Sequence, residues 1–412
     1  MSERSKKIIF IIVFIVLTII LGYLLYFLFL KPTVVPPPEA NLNQLTTGAL
    51  PTAEINVNRP AYINVNGKLV PAANVNTAPP SKTSTVARGG ITQVTTLNNV
   101  PTMAATMAAN GQDLLYYNKS DGQFYRIDAN GDINLLTDKV FHNVDQIYWS
   151  PDTSKAILEY PDGSNIIYNF KTKKQITFPK QWKDFDFSPT SDKLTFKNWT
   201  VDEEDRFLSI ANDDGSGFRR IETLGRQDSD VHVDWSPNKQ IIATFNESID
   251  LERQYLYFIG LNKERFNVSI IEGRDYRSQW SPNGERLLYS VYHTSSNLNP
   301  TLWIVDGRGE NIGNNRTPLN LQTWADKCTF TDSNTAYCAV PAYLEKGSGL
   351  VPDYAANVPD EFYKIDLRTY SKTLIAVPEG NYNAQNLTIS QDGRYLYFTD
   401  KITGQLQQLQ LK

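Results

Sequence analysis

The sequence predicts an all-β protein, a seven-bladed β-propeller of four-stranded blades, with six blades as the alternative count, preceded by one transmembrane helix and a disordered linker. Three observations carry this. Aromatic residues make up 12% of the 412, and Tyr and Phe far outnumber Met, a composition that favours strands over long helices. One short motif recurs along the chain at roughly forty- to fifty-residue spacing, the period of propeller blades. A long apolar run stands near the start.

Residues 1–7 carry Arg4, Lys6 and Lys7 against Glu3 and form the expected cytoplasmic N-terminus. Residues 8–30, from Ile8 to Leu30, hold no charge and suffice to cross a hydrocarbon layer of ~30 Å as a helix. The run exceeds a signal-peptide core and has no small-residue cleavage site after it. Basic residues precede the span and only Lys31 directly follows it. The positive-inside rule therefore sets the rest of the chain outside, periplasmic or on the cell surface.

Residues 31–90 are rich in Pro, Asn, Thr and Ala, with Tyr62 as the sole aromatic. Such a stretch buries too little apolar surface to offset its ordering entropy, so it is expected to be a disordered linker. An echo of "INVN" at Ile55 and Ile63 offers a short strand as the competing reading.

The repeat occupies 91–412. Its anchors are Met107, Trp149, Phe187, Trp235, Trp280, Phe330 and Ile389, in stretches such as "WSPDTSKAILEY" and "WSPNGERLLYS". A large apolar residue ends one strand, Ser-Pro-Asx-Gly supplies the turn, and a Leu/Tyr/Phe-rich strand follows. Third strands ("GQFYRID", "QYLYFIG") and shorter fourth strands ("INLLT", "KQITF") come next. The last unit lacks its fourth strand, and "ITQVT" precedes Met107 as "INLLT" precedes Trp149. Strand 91–97 is therefore expected to complete the last blade and close the ring.

The WSPDG hairpin with its following aromatic strand resembles the TolB-type propeller repeat, also present in propeller domains of prolyl oligopeptidase relatives. The resemblance covers Ile91 to Lys412 and implies a WD-like propeller. A TolB-type protein carries a small α/β domain where this chain has its anchor and spacer. The chain has no Gly-x-Ser-x-Gly elbow, so serine peptidase chemistry is not implied.

Net charge is −4, which does not suit a nucleic-acid surface. His142, His232 and His293 fall in different units and show no ligand spacing, and "DANGDINLLTDK" lacks the Gly and Glu of a calcium loop. No catalytic residue, metal or cofactor is expected. Cys328 and Cys338 flank one hairpin symmetrically and are expected to form a disulfide, against two reduced core thiols.

Loop length is the remaining signal. Between second and third strands the first two units turn tightly, whereas the next four insert "NWTVDEED", "NESIDLER", "YHTSSNLNP" and "PAYLEKGSGLVPDYAANVPD". All such loops emerge on one propeller face. Trp199, Tyr343 and Tyr354 on these loops are candidate binding residues, and Trp182, Arg226, Arg274, Tyr276 and Trp324 in the inter-blade loops are candidates for the mouth. The expected function is a binding or scaffold module for a protein, peptide or envelope glycan. The alternative is a propeller enzyme, a lyase or glycan hydrolase acting in the central mouth.

Overall fold

The computed structural model describes residues 62–65, 68–71, 83–264 and 266–412. The segment 8–30 and the N-terminus before it lie outside the described residues. Two compact units divide at Thr77. In the first, Tyr62–Val65 and Lys68–Pro71 pair as an antiparallel hairpin. Ile63 to Val65 of the second "INVN" thus lie in a strand inside the stretch expected to be unstructured, because alternating Ile/Val and Asn suits a pleated ribbon.

The second unit is a ring of seven sheets. Blade 1 holds Thr102–Met107, Leu114–Asn118, Gln123–Ile127 and Ile133–Leu135. Blades 2 to 5 begin at Gln146, Trp182, Val231 and Arg274, and each has four antiparallel strands in chain order. Blade 6 runs from Cys328 to Pro378, and blade 7 holds Ala384–Ile389, Tyr395–Asp400 and Leu406–Gln410. Among the described residues, helical structure is confined to short 3-10 turns in the loops.

Ring closure divides the stretch 91–97 between two blades. Val94–Thr96 pairs antiparallel with Gln407–Leu409 and supplies the fourth strand of blade 7. Ile91–Thr92 instead pairs parallel with Val377–Pro378 and adds a fifth strand to blade 6. The propeller also begins before Ile91: Ala87 N–H donates to Gln410 O at 2.8 Å and Gly89 N–H to Ile375 O at 2.7 Å. This clasp over blades 6 and 7 pre-empts the last residues assigned to the linker.

The repeated motif has a hydrogen-bond reason. In five blades its serine caps the hairpin, its hydroxyl accepting the backbone N–H five residues on: Ser150 from Lys155, Ser188 from Lys193, Ser236 from Ile241, Ser281 from Arg286 and Ser390 from Tyr395. The Asx two residues on accepts an N–H within the turn, as Asn283 does from Glu285 at 3.1 Å. Gly284 takes φ +67° there, and Gly307 leaves room for the Trp280 ring, which a Cβ would meet at 2.4 Å. The anchors Phe187, Trp235, Trp280 and Phe330 are buried in separate inter-blade clusters.

Cys328 and Cys338 stand directly opposite in the first hairpin of blade 6 and form a disulfide. The stretch from Asp128 is a hairpin turn between third and fourth strands, with Asp128 Oδ1 accepting the N–H of Asn130 at 2.9 Å and of Asp132 at 3.1 Å.

Candidate functional site

The long loops of blades 3 to 6 are braced at their bases, that of blade 3 by the turn after it and those of blades 4 to 6 each by its neighbour. In blade 3, Arg206 pairs with Asp228 at 2.9 Å and Arg226 with Glu203 at 2.6 Å, fixing the loop to the 3-10 turn Gly225–Asp230 that leads into blade 4. The blade 4 loop is held by Arg274, which donates to Ser248 Oγ and Asp250 O, and by Glu252, which accepts from Thr294 of the blade 5 loop. The blade 6 loop leans on blade 5 through Gly347 N–H to Asn297 O at 2.9 Å and Gly349 N–H to Leu298 O at 2.8 Å.

A buried group fastens the other end of the blade 6 loop. Lys327 pairs with Asp360 at 2.7 Å and donates to Asn383 at 3.0 Å, and Asn383 donates to Ala355 O and Ala356 O. Burial raises the Asp360 carboxyl, and Lys327 opposes that shift. Loops this tightly held present their tips without a large ordering cost.

The tips are apolar. Leu251 is 89% exposed and Val201 83%, and Tyr343, Leu350, Val351 and Tyr354 are also exposed. Three of the four long loops therefore hold large apolar side chains in water on the same face. Acidic Asp202, Glu204 and Asp205 surround Val201 and are exposed.

Below the ridge, the channel rim carries mixed charge. Lys197 pairs with Asp184 at 2.7 Å in blade 3, and Arg277 pairs with both Asp275 and Asp326 at 3.0 Å in blade 5. His232 stands between them in blade 4, its ring 5.5 Å from Tyr276. Burial, with Lys197 nearby, pushes the imidazole below its ordinary value, so His232 is neutral near pH 7. Asp184 and Asp275 hold left-handed φ of 51° and 54° at bulges in their strands.

The eight candidate binding residues separate into two groups. Trp199 is half-buried between Lys183 at 4.6 Å and Arg206 at 4.7 Å. Arg226, Arg274, Tyr343 and Tyr354 lie on the loop face, with Arg226, Tyr343 and Tyr354 exposed and Arg274 half-buried as a brace. Trp182 is instead 5% exposed, stacked on Phe196 at 3.9 Å in the blade core. Tyr276 is 6% exposed within the cluster between blades 4 and 5. Trp324 is 4% exposed and packs beneath the blade 6 loop against Ala355 and Val358. These three correct the sequence reading: an aromatic beside a strand start fills the seam between blades, where burial is worth more than exposure at the mouth.

The three histidines do not meet. His293 bonds Ser295 at 2.6 Å on the blade 5 loop, His142 lies by Lys139 and Asp162 near blade 2, and His232 lies on the rim. Among the described residues no group of three His, Cys, Asp or Glu side chains is arranged to hold a metal.

No protein-family model matches the sequence, and no curated protein does. Solved structures do match. An oligogalacturonate lyase in complex with manganese superposes with TM-score 0.54 at 15% identity, over 77% of this chain and 93% of that one. The β-propeller domain of Cps50 (Swd1) from Myceliophteria thermophila gives 0.52 at 9% identity, over 77% and 100%. The tricorn protease gives 0.50 at 12% identity, over 77% of this chain and 34% of that one. The likeness is one of fold. At such identities it carries no residue roles across.

Sequence reasoning found Tyr343 and Tyr354 on the loops but missed the tips Val201 and Leu251 and the rim. Val201 and Leu251 were visible as lone large apolar residues within charged loops. The rim group could not be read, since Asp184, His232 and Asp275 are brought together only by the ring.

Proposed function

We propose that this chain is a membrane-tethered, extracytoplasmic propeller of TolB-type repeats. It binds a protein, a peptide or an envelope glycan on its long-loop face and serves as a scaffold. The observation that carries this reading is the set of exposed apolar tips, Val201, Leu251, Leu350 and Tyr354, held on loops whose bases are fixed. Solvated apolar groups on a rigid support are where binding free energy concentrates. The tether would be the helix 8–30, and the Cys328–Cys338 disulfide supports an oxidising compartment.

The test is crosslinking in native membranes followed by mass spectrometry, comparing wild type with a Val201→Ser, Leu251→Ser, Leu350→Ser, Tyr354→Ser variant. Loss of the principal crosslinked species is the expected result. An unchanged set of species refutes the long-loop face as the binding surface. Deleting the whole Pro341–Pro359 loop is a poorer test, because Ala355 and Val358 cover Trp324.

A propeller enzyme is the second reading, supported by the mixed-charge rim around His232. Among the described residues no three His, Cys, Asp or Glu side chains stand together as a manganese ion would require. Turnover of oligogalacturonate by wild type, lost in His232→Ala, would establish this reading over the first.

A further inference from the structure

Blade 4 has an incomplete outer edge. Its third strand spans Arg253–Gly260, but its fourth, Ser269–Glu272, pairs only with Arg253–Leu256. In blade 2 the third strand Asn165–Asn169 is paired along its whole length. The difference arises because the connecting loop is drawn sideways toward blade 5. Asn267 donates to Glu310 O at 3.0 Å, and Ser269 bonds Gly313 O. Tyr257–Ile259 therefore has no strand partner on its outer side among the described residues, which leaves backbone donors and acceptors open at a sheet edge.

A groove of about 600 Å³ runs along that edge, in the seam with blade 3. Leu224, Phe245, Ile259 and Val268 are among its apolar lining, and Glu222 flanks it from blade 3. Phe245 and Tyr257 stack at 5.5 Å along it. Glu222 is exposed and makes no ion pair among the described residues. Strand backbone without a partner among the described residues, an apolar wall, and the Glu222 and Glu264 carboxylates with Lys263 on the same lining limit what can fill it.

We propose that this groove docks an extended peptide segment of a partner protein by β-augmentation. The peptide adds a strand to Tyr257–Ile259, places alternate apolar side chains against Phe245 and Val268, and sets a lysine or arginine by Glu222. The groove reaches Gln227 in the turn that anchors the blade 3 loop, but its lining includes none of the exposed loop tips.

The test uses the full-length protein and a fluorescent, acetylated and amidated peptide of sequence KVTVTK, read by anisotropy and by amide hydrogen exchange. Saturable binding is expected, with new protection confined to Tyr257–Ile259. Val268→Glu and Glu222→Lys, both at exposed positions, each weaken it at least fivefold, and an analogue N-methylated at alternate amides does not bind. Absence of saturable binding, equal binding by the N-methylated analogue or by both variants, or protection elsewhere would overturn the proposal.

Discussion

Asp186 Oδ2 accepts the backbone N–H of Trp235 at 2.5 Å, across the seam between blades 3 and 4. Asp186 immediately precedes the anchor Phe187, and the residues at this position in successive blades are Thr106, Tyr148, Asp186, Asp234, Gln279, Thr329 and Thr388. All are polar, and several reach the next blade. Ser278 donates to Asp234 at 3.5 Å. Gln279, with its amide nitrogen turned to blade 6, donates to Ala325 O at 3.2 Å and Cys328 O at 2.6 Å. Polar links on the first strands thus tie blade 3 to 4, 4 to 5 and 5 to 6, beside the apolar clusters of the same seams.

Removing the link should be costly. Asp186→Ala leaves the Trp235 N–H unpaired, and the expected loss is about 1–3 kcal/mol in urea unfolding. A change within the error of the wild-type value would mean that the N–H is satisfied some other way.

The same pair should impose a pH dependence. Burial pushes the Asp186 carboxyl up to about 7, and burial with the Asp186 charge raises Asp234 as well. The folded state then holds protons that the unfolded chain releases near pH 3.9. Stability from this pair is fully present below about pH 3.9 and declines as pH rises from there through the Asp186 value of about 7. Asp234→Asn removes one charge and should flatten the decline. Melting temperatures at pH 5 and pH 8 check this, and a variant as pH-sensitive as wild type would count against it.

The disulfide closes a loop with a sequence separation of 10. Replacing Cys328 and Cys338 by Ser should lower stability by roughly 2–3 kcal/mol, since a short loop loses little unfolded-state entropy when closed. Wild type treated with reductant should show a similar loss in guanidinium titration.

Two aromatics named as binding candidates from the sequence should behave oppositely. Trp182→Ala empties a buried stack and should cost about 3–5 kcal/mol. Tyr354→Ala, at an exposed position, should stay within about 0.5 kcal/mol of wild type. Equal losses in thermal unfolding would contradict the burial assignments.

The clasp should support ring closure. Besides the bonds of Ala87 and Gly89, Val377 N–H donates to Gly90 O and Glu379 N–H to Thr92 O, each at 3.0 Å. Deleting residues 83–92 removes these bonds at about 1 kcal/mol each and uncovers the edge of blade 6. The expected readout is a lower melting temperature with earlier proteolysis in blades 6 and 7. Unchanged unfolding would show Val94–Thr96 to be sufficient alone.

What the chain determined by itself was the repeat. A large apolar anchor at a fixed register, with a turn-capping serine in five of the seven blades, specifies the hairpins locally, so blade number, strand order and the facing of Cys328 and Cys338 could be read without coordinates. Loop length likewise located the variable face. Tertiary structure decided which side chains face water. Trp182, Tyr276 and Trp324 differ from Tyr354 only in what packs over them, and that depends on the neighbouring blade. Ring closure also decided the company of Asp184, His232 and Asp275, and the sideways pull on the loop before Ser269 decided where an edge stays open. These features join residues far apart in sequence, and local pattern carries no record of such contacts.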